Sequence, residues 1–316
     1  MITDRIDAVT KIPAEYLKTV LPAPKSVKIE LTGKCNFRCQ FCALRTREAQ
    51  PTQDMDFALF KKITTDMQRA GVQEIGLFYI GESFMNPELL VQSIEWLKKY
   101  LHMPYVFLTS NASLAFPEAV EACMAAGLNS LKWSVNAADE DQFEQVMGVK
   151  AKSMKQAKTN IKEAWELRTR NDYQTGLYAS SILYDGEQRK KMKEMLETDI
   201  LPFVDQHYFL PLYSMGAQTT EREEELGYKP IAGNQGRIGA LRDPLPCWSA
   251  FTEGHVTSTG LMSACCFDAD AKWTMGDLTK EPFMSAWNSA EYQTLRGSHL
   301  NKNVAGTPCE SCVAYR

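Results

Sequence analysis

From residue 26 to residue 213, short apolar runs alternate with longer segments in which apolar residues recur at helical spacing. Short apolar runs with the character of buried strands lie at 26–31, 73–79, 104–109, 129–135, 176–184 and 205–213. Amphipathic helices are expected in the gaps, beginning near 57 and 87 and covering 117–127, 153–170 and 187–197. Gly71 and Gly127 are expected to end two of these helices, because glycine readily adopts the left-handed conformation of a helix terminus.

Strict alternation of strands and helices predicts an α/β fold with a parallel sheet and right-handed crossovers. Six strand–helix units are too few to close an eight-stranded barrel, so we expect an open, partial (β/α)6 barrel. Ligands of such folds bind at the carboxyl ends of the strands. Chemically active side chains should therefore lie in the loops that follow the strands.

The periodic pattern stops after residue 215. Residues 216–245 are rich in glycine and charge, which favours a linker over the surface. The expected organisation is a short N-terminal segment at 1–25, the partial barrel at 26–215, this linker, and a small second domain at 246–316.

Composition narrows the class of protein. The 316 residues are 44% hydrophobic and 23% charged, with a net charge of −4, which is typical of a globular protein. The mild acidity argues against nucleic acid as a partner, because nucleic-acid binding needs a basic face. No apolar run reaches the roughly 20 residues of a membrane span, and the charged N-terminus does not resemble a signal peptide. We therefore expect a cytoplasmic protein without a membrane partner.

The nine cysteines fall into two groups, which favours metal binding over disulfides. Cys35, Cys39 and Cys42 are spaced C-x3-C-x2-C directly after the first predicted strand. A structural zinc site needs four protein ligands, and no fourth cysteine or histidine lies nearby. Three thiolates leave an open coordination position, which a protein reserves for a cofactor or substrate.

The second group lies in the C-terminal region and comprises Cys247, Cys265, Cys266, Cys309 and Cys312. Four of these five thiols would complete a closed site. A four-iron cluster and a zinc ion both satisfy that stoichiometry, so spacing leaves the two open. Neighbouring side chains of an extended segment point to opposite sides, so Cys265 and Cys266 are not expected to bind the same metal.

The first cysteine group, with the aromatic Phe41 before its last member, resembles the signature of the radical S-adenosylmethionine (radical SAM) enzymes. The resemblance implies the partial barrel of that family and a [4Fe–4S] cluster whose open iron binds SAM. It also implies reductive cleavage of SAM to a 5′-deoxyadenosyl radical, which removes a hydrogen atom from a substrate C–H bond. The electron would come from a reductase or from a flavodoxin- or ferredoxin-type donor.

The sequence YIGES at the end of the second predicted strand resembles the family's Gly-Gly-Glu segment, with Ile80 in place of the first glycine. The resemblance implies that Gly81 and Glu82 bind the ammonium group of SAM. Further candidates for SAM contacts stand on or after later strands: Ser110, Asn111, Ser134, Asn136 and Ser180. Serine and asparagine also terminate strands for purely local reasons, and that alternative remains.

The tail resembles the SPASM/twitch extension of radical SAM enzymes, although the full SPASM pattern has seven cysteines. The resemblance implies one auxiliary [4Fe–4S] cluster, with Cys265 selected by its distance from Gly260. Its ligands would be Cys247, Cys265, Cys309 and Cys312. Cys266 is then spare. It either packs in the small domain or donates a hydrogen atom to the substrate radical, as a non-ligand cysteine does in radical SAM epimerases.

Three functions are compatible with these features. The first is a radical SAM epimerase or dehydrogenase acting on a small metabolite such as a sugar or an aminoglycoside. The second is a radical SAM/SPASM maturase that modifies a ribosomal peptide, and the short stretch before the first strand weighs against it, because it leaves little room for a peptide-recognition domain. The third is a structural zinc protein that binds a partner.

Overall fold

A computed structural model describes residues 1–46, 53–225, 227 and 229–312. Within this part of the chain nine strands form one sheet. They are β1 (Ser26–Ile29), β2 (Glu74–Gly76), β3 (Tyr105–Ser110), β4 (Ser130–Ser134), β5 (Gly176–Ile182), β6 (Gln206–Leu210), β7 (Glu253–Val256), β8 (Leu261–Ser263) and β9 (Thr274–Asp277).

The described α-helices are α1 (Ile2–Thr10), α2 (Phe57–Ala70), α3 (Pro87–Glu95), α4 (Pro117–Ala125), α5 (Glu140–Met147), α6 (Lys152–Asn171), α7 (Gly186–Asp199), α8 (Thr220–Glu225), α9 (Ser249–Thr252), α10 (Phe283–Trp287), α11 (Ala290–Leu300) and α12 (Cys309–Cys312). The five helices that the sequence predicts correspond to α2, α3, α4, α6 and α7. Gly71 ends α2 in the left-handed conformation, as its sequence position predicts.

The strand order is β6-β5-β4-β3-β2-β1-β7-β8-β9. Neighbours from β6 to β1 are parallel, as is the β1–β7 pair, whereas β8 and β9 are antiparallel additions. The sheet stays open, with β6 and β9 at its edges. The predicted α/β fold with a partial barrel is therefore confirmed.

Alternate residues of each strand point to opposite faces of the sheet. Leu131 and Trp133 of β4 belong to the main apolar core against the helices. Lys132 lies between them and lines the barrel interior, as Lys28 of β1 does. Together with Phe107 these lysines wall a cavity of about 250 Å³, which we call the barrel cavity.

Helix α1 was not predicted, and it covers the amino-terminal end of the barrel. The Ile2 amide donates to Gln206 Oε1 at 3.0 Å, and the Arg5 guanidinium pairs with Glu74. Ile2, Ile6 and Val9 share one helical face and line the barrel cavity. The barrel cavity is thus walled by α1 on the side away from the carboxyl ends of the strands.

The tail continues the main sheet, because β7 pairs with β1 over its full length. Buried Arg296 of α11 lies 4.2 Å from the Trp287 ring and donates to the Ala250 carbonyl oxygen at 2.9 Å. The domain boundaries expected from the sequence stay predictions. No helix within the described ranges is long and apolar enough to cross a membrane.

Candidate functional site

The loop that carries Cys35, Cys39 and Cys42 leaves the carboxyl end of the barrel after β1. Backbone hydrogen bonds fix it to the end of α5: the Arg38 amide donates to the Met147 carbonyl oxygen at 3.0 Å. A Cβ atom at Gly148 would lie 2.6 Å from the Arg38 carbonyl oxygen, so glycine permits this close approach. Helix α5, which the sequence did not predict, therefore supports the cysteine loop.

Gly81 presses the segment after β2 against the same loop. A Cβ atom at Gly81 would lie 2.0 Å from the Thr32 carbonyl oxygen. The Glu82 amide donates to the Lys34 carbonyl oxygen at 2.8 Å. The Gly-Glu segment thus lies directly beside the residue before Cys35, where a ligand of an open iron would be held.

The Glu82 carboxylate is buried and is engaged by the protein itself. It accepts from the Ser110 hydroxyl at 2.9 Å, the Asn111 amide at 2.8 Å and the Phe84 amide at 3.1 Å. Burial raises the pKa of Glu82, and these hydrogen bonds oppose that rise. Three of about four acceptor positions are taken, so Glu82 chiefly joins the ends of β2 and β3. Direct binding of SAM by this carboxylate stays a prediction.

Three of the predicted SAM contacts meet at one cavity of about 30 Å³ beside the cysteine loop. Asn111, Ser134 and Asn136 line it together with Phe37, which follows Cys35 by two residues. Ser180 is buried on β5 beside Tyr208 and does not line this cavity. Four polar side chains line this cavity, since Lys158 joins these three, and the rest of its wall is apolar. Contact of these residues with SAM stays a prediction.

Asn36 is a site residue that the sequence reasoning missed. Its side-chain oxygen accepts from Asn111 Nδ2 at 2.9 Å, and its amide nitrogen donates to the Ser113 hydroxyl at 2.8 Å. These bonds join the cysteine loop to the end of β3. Its position directly after Cys35 was the available signal.

The four predicted auxiliary ligands surround a second small cavity of about 20 Å³. It is lined by Cys247, Cys265, Cys309 and Cys312. Within the described ranges, no three metal-ligating side chains gather closely enough to hold a single ion. A zinc ion needs its thiolates about 3.8 Å apart, given Zn–S bonds of about 2.3 Å, whereas a four-iron cluster spans more space. Four cysteine thiols around one cavity are the ligand set of a [4Fe–4S] cluster, and a zinc ion can take the same set.

His299 is a second site residue that the sequence reasoning missed. Its Nδ1 accepts from the Cys247 amide at 3.0 Å, which places the proton on Nε2, 3.2 Å from Cys309 Sγ. Burial lowers the pKa of His299 to about 4, so the ring is neutral and donates to the sulfur. Such a bond orients a ligand and tunes the metal that it holds.

Cys266 points away from the auxiliary site. Cys265 lines the cavity of the four thiols, whereas Cys266 lines the barrel cavity. The two thiols diverge at a bend and a turn that follow β8, not in the extended segment that the sequence analysis assumed. The Asn234 amide nitrogen donates to Cys266 Sγ at 3.1 Å. Burial raises the pKa of Cys266 to about 12. A protonated thiol therefore faces the barrel interior.

Tyr79 connects the barrel to the segment between these two cavities. Its hydroxyl oxygen lies 2.8 Å from the Cys265 carbonyl oxygen and 2.5 Å from that of Asp268. Ala269 packs in a small cluster beside Cys42. The segment that carries Cys265 and Cys266 thus lies between the first cysteine group and the auxiliary site.

Charged groups inside the barrel are mostly paired. Lys28 Nζ lies 2.9 Å from the buried Glu253 carboxylate, which also bonds His255 Nε2 at 2.8 Å. Burial would raise the pKa of Glu253, but Lys28 and His255 together lower it to about 2. The ion pair ties β1 to β7 within the barrel wall.

Comparisons with known proteins agree with this architecture. The Radical SAM superfamily profile matches residues 29–198, and the iron–sulfur cluster-binding SPASM profile matches residues 247–313. The chain is 25% identical over 138 residues to the PqqA peptide cyclase of Methylorubrum populi, covering 44% of this chain and 35% of that protein. It is 26% identical over 131 residues to the GTP 3′,8-cyclase of Microcystis aeruginosa, covering 40% and 39%. These matches span little more than a third of the curated relatives.

Solved structures share the fold at low identity. BtrN in complex with AdoMet and 2-DOIA has a TM-score of 0.59 at 14% identity, with 92% of each chain covered. Streptococcus suis SuiB bound to the precursor peptide SuiA has a TM-score of 0.64 at 15% identity, covering 88% of this chain and 67% of SuiB.

The two profile matches and the two groups of thiols agree on the cofactors. The protein uses SAM with a [4Fe–4S] cluster and carries an auxiliary iron–sulfur cluster. The Radical SAM profile covers more than half of the chain. The protein therefore belongs to the Radical SAM superfamily and has a C-terminal SPASM region.

Proposed function

We propose that this enzyme removes a hydrogen atom from a C–H bond of a small metabolite in the barrel cavity, and that Cys266 returns one to the opposite face of the same carbon. The observation that carries the proposal is the divergence of two neighbouring thiols. Cys265 lines the auxiliary cavity, and Cys266 lines the barrel cavity. This divergence supports a hydrogen-donor role for Cys266, because its thiol lines the barrel cavity and not the cavity of the four predicted cluster ligands.

Different parts of the chain would bind SAM and enclose the substrate. When bound, the SAM cluster supplies the electron that cleaves SAM to methionine and the radical that abstracts the hydrogen atom. The cysteine loop, Gly81 and the cavity of Asn111, Ser134 and Asn136 would hold SAM at the carboxyl end of the barrel. The largely apolar lining of the barrel cavity would help to shield a substrate radical from water.

Hydrogen atoms and electrons balance in the proposed inversion. The substrate loses one hydrogen atom to the deoxyadenosyl radical and gains one from the Cys266 S–H bond, so its oxidation level is unchanged. The thiyl radical that remains needs one electron and one proton. A flavodoxin- or ferredoxin-type reductant would supply the electron, and solvent would supply the proton. Cys247, Cys265, Cys309 and Cys312 would hold an auxiliary cluster able to carry such an electron.

A peptide maturase is the second candidate, and the comparisons favour it at least as strongly. Relatives of this chain include the PqqA peptide cyclase and SuiB, which was solved with a precursor peptide. A peptide side chain entering the barrel cavity would meet the same Cys266. Dehydrogenation would be the outcome if the substrate radical lost one electron to an auxiliary cluster and one proton to solvent before Cys266 reacted.

The test compares the wild type with Cys266→Ala in heavy water. The wild type should form a product that carries one deuterium atom, whereas the variant should still form 5′-deoxyadenosine but no inverted product. Cys123→Ala is the matched control, because Cys123 is a buried thiol on α4 outside the barrel cavity. Unchanged deuterated product from Cys266→Ala would refute the role of Cys266 as the donor.

A further inference from the structure

The charges that line the barrel cavity leave one cation without a partner. Four basic side chains line it, and three have acidic partners: Arg5 with Glu74, Lys28 with Glu253, and Arg237 with Asp7. The fourth is Lys132. Among the residues that the structure describes, no hydrogen bond or ion pair reaches its ammonium group, and no carboxylate acts on its pKa.

An unpaired ammonium group inside a protein is costly, because it loses its hydration without gaining a counter-charge. Burial, with a contribution from Lys28, lowers the pKa of Lys132 to about 8. Lys28 on the neighbouring wall avoids this cost, because the Glu253 carboxylate lies 2.9 Å from its ammonium group. A cavity that keeps one lysine unpaired is suited to receive the missing negative charge from its ligand.

Lys132 lies on β4, the strand whose end carries Ser134 at the predicted SAM site. Ser134, two residues further on and on the same strand face, lines the cavity beside the cysteine loop. Lys132 lies one layer deeper, paired with Thr109 of β3 and Tyr178 of β5. It lines the same barrel cavity as Cys266. A substrate anchored at Lys132 would thus lie within the chamber that holds the proposed hydrogen donor.

We propose that Lys132 binds an oxyanion of the substrate, a carboxylate or a phosphate group, and so determines which carbon is presented to the radical. This inference rests on the proposed function and narrows its substrate class. An acidic sugar or a sugar phosphate has the required charge. A polycationic aminoglycoside, which the sequence alone left open, does not.

The experiment measures the reactivity of Lys132 in the cluster-loaded enzyme. Reductive methylation with formaldehyde and dimethylamine borane is followed by peptide mass spectrometry. The mixtures contain 50 mM inorganic phosphate, malonate or the unreactive cation tetramethylammonium, and each is compared with sodium chloride at equal ionic strength. We expect phosphate or malonate to slow methylation of Lys132 at least threefold, and the more protective anion assigns the group. Exposed Lys150 should react equally in every mixture, because its side chain is 81% exposed.

Equal methylation of Lys132 in all mixtures would overturn the proposal. Protection by tetramethylammonium, or a Lys132 that the reagent never reaches, would overturn it as well. In a separate measurement, phosphate or malonate should raise the Tm of the wild type, because either anion would bind the folded protein at Lys132. Lys132→Met should abolish that rise, and Lys132→Arg should keep part of it because the charge remains. Neither measurement depends on cleavage of SAM. Protection of Lys132 combined with unchanged inversion in Cys266→Ala would refute the donor role and leave the oxyanion site intact.

Discussion

Replacing Gly81 with alanine should separate the Gly-Glu segment from the cysteine loop. The added Cβ would lie 2.0 Å from the Thr32 carbonyl oxygen and 2.8 Å from that of Lys34. Both neighbours are backbone atoms of the segment that leads to Cys35, so neither can rotate away. Reaching an ordinary contact of 3.4 Å requires about 1.4 Å of movement between the two segments.

Two magnitudes follow from that displacement. Overpacking of this kind costs about 1–3 kcal/mol of stability. A misplacement of about 1 Å at a reacting centre costs about 100-fold in rate. We therefore expect Gly81→Ala to fold with a Tm several degrees lower and to form 5′-deoxyadenosine about 100-fold more slowly at equal iron content.

The assay is reductant-dependent formation of 5′-deoxyadenosine from SAM, together with the change that SAM causes in the EPR spectrum of the reduced cluster. Gly297→Ala is the matched control, because its Cβ would meet only Thr19 Cγ2 at 3.8 Å and Gly297 lies within α11. The control should gain up to about 1 kcal/mol of stability from helix propensity. Cleavage of SAM by Gly81→Ala within twofold of the wild-type rate would refute the close-approach argument.

Further predictions concern the first cysteine group, the barrel ion pair and the auxiliary site. Cys42→Ala should abolish cleavage of SAM, measured as 5′-deoxyadenosine, and normal cleavage would contradict the three-thiolate site. Glu253→Gln should lower the free energy of unfolding by about 3–5 kcal/mol in denaturant titrations, because it leaves Lys28 buried and unpaired. The folded-state pKa of Glu253 is about 2 against an ordinary 4.5, so this difference should be complete above pH 4.5 and vanish as the pH falls towards 2; a pH-independent difference would contradict the pairing. His299→Leu should lower the reduction potential of the auxiliary cluster by about 60 mV in an EPR-monitored titration, because the reduced cluster loses the hydrogen bond to Cys309, and an unchanged potential would exclude that bond.

Local pattern predicted the barrel strands, because each is a short apolar run followed by polar residues. It missed α1 and α5, whose patterns are short, although Ile2, Ile6 and Val9 already have helical spacing. Parallel strands are buried on both faces, so sequence alone could not show that Lys28 and Lys132 point inward. The direction of each side chain depends on the register of its strand, and pairing with strands distant in sequence sets that register.

The cysteines illustrate the same limit at the site. Spacing separated the two groups, and alternation predicted that Cys265 and Cys266 diverge. Which of the two faces the barrel depends on how β8 and the following segment lie against Tyr79, a contact between residues almost 190 positions apart. The support of the cysteine loop by Gly148, and of Cys309 by His299, depends on similar long-range contacts.

The most direct test of the account is stimulation of 5′-deoxyadenosine formation by cell fractions, with the anaerobically reconstituted enzyme, SAM and a reductant. One fraction contains low-mass anionic metabolites and the other contains peptides. The account predicts stimulation by the anionic metabolites, with a product that acquires one deuterium atom from heavy water. Stimulation by peptides alone would contradict it and establish the maturase function in its place.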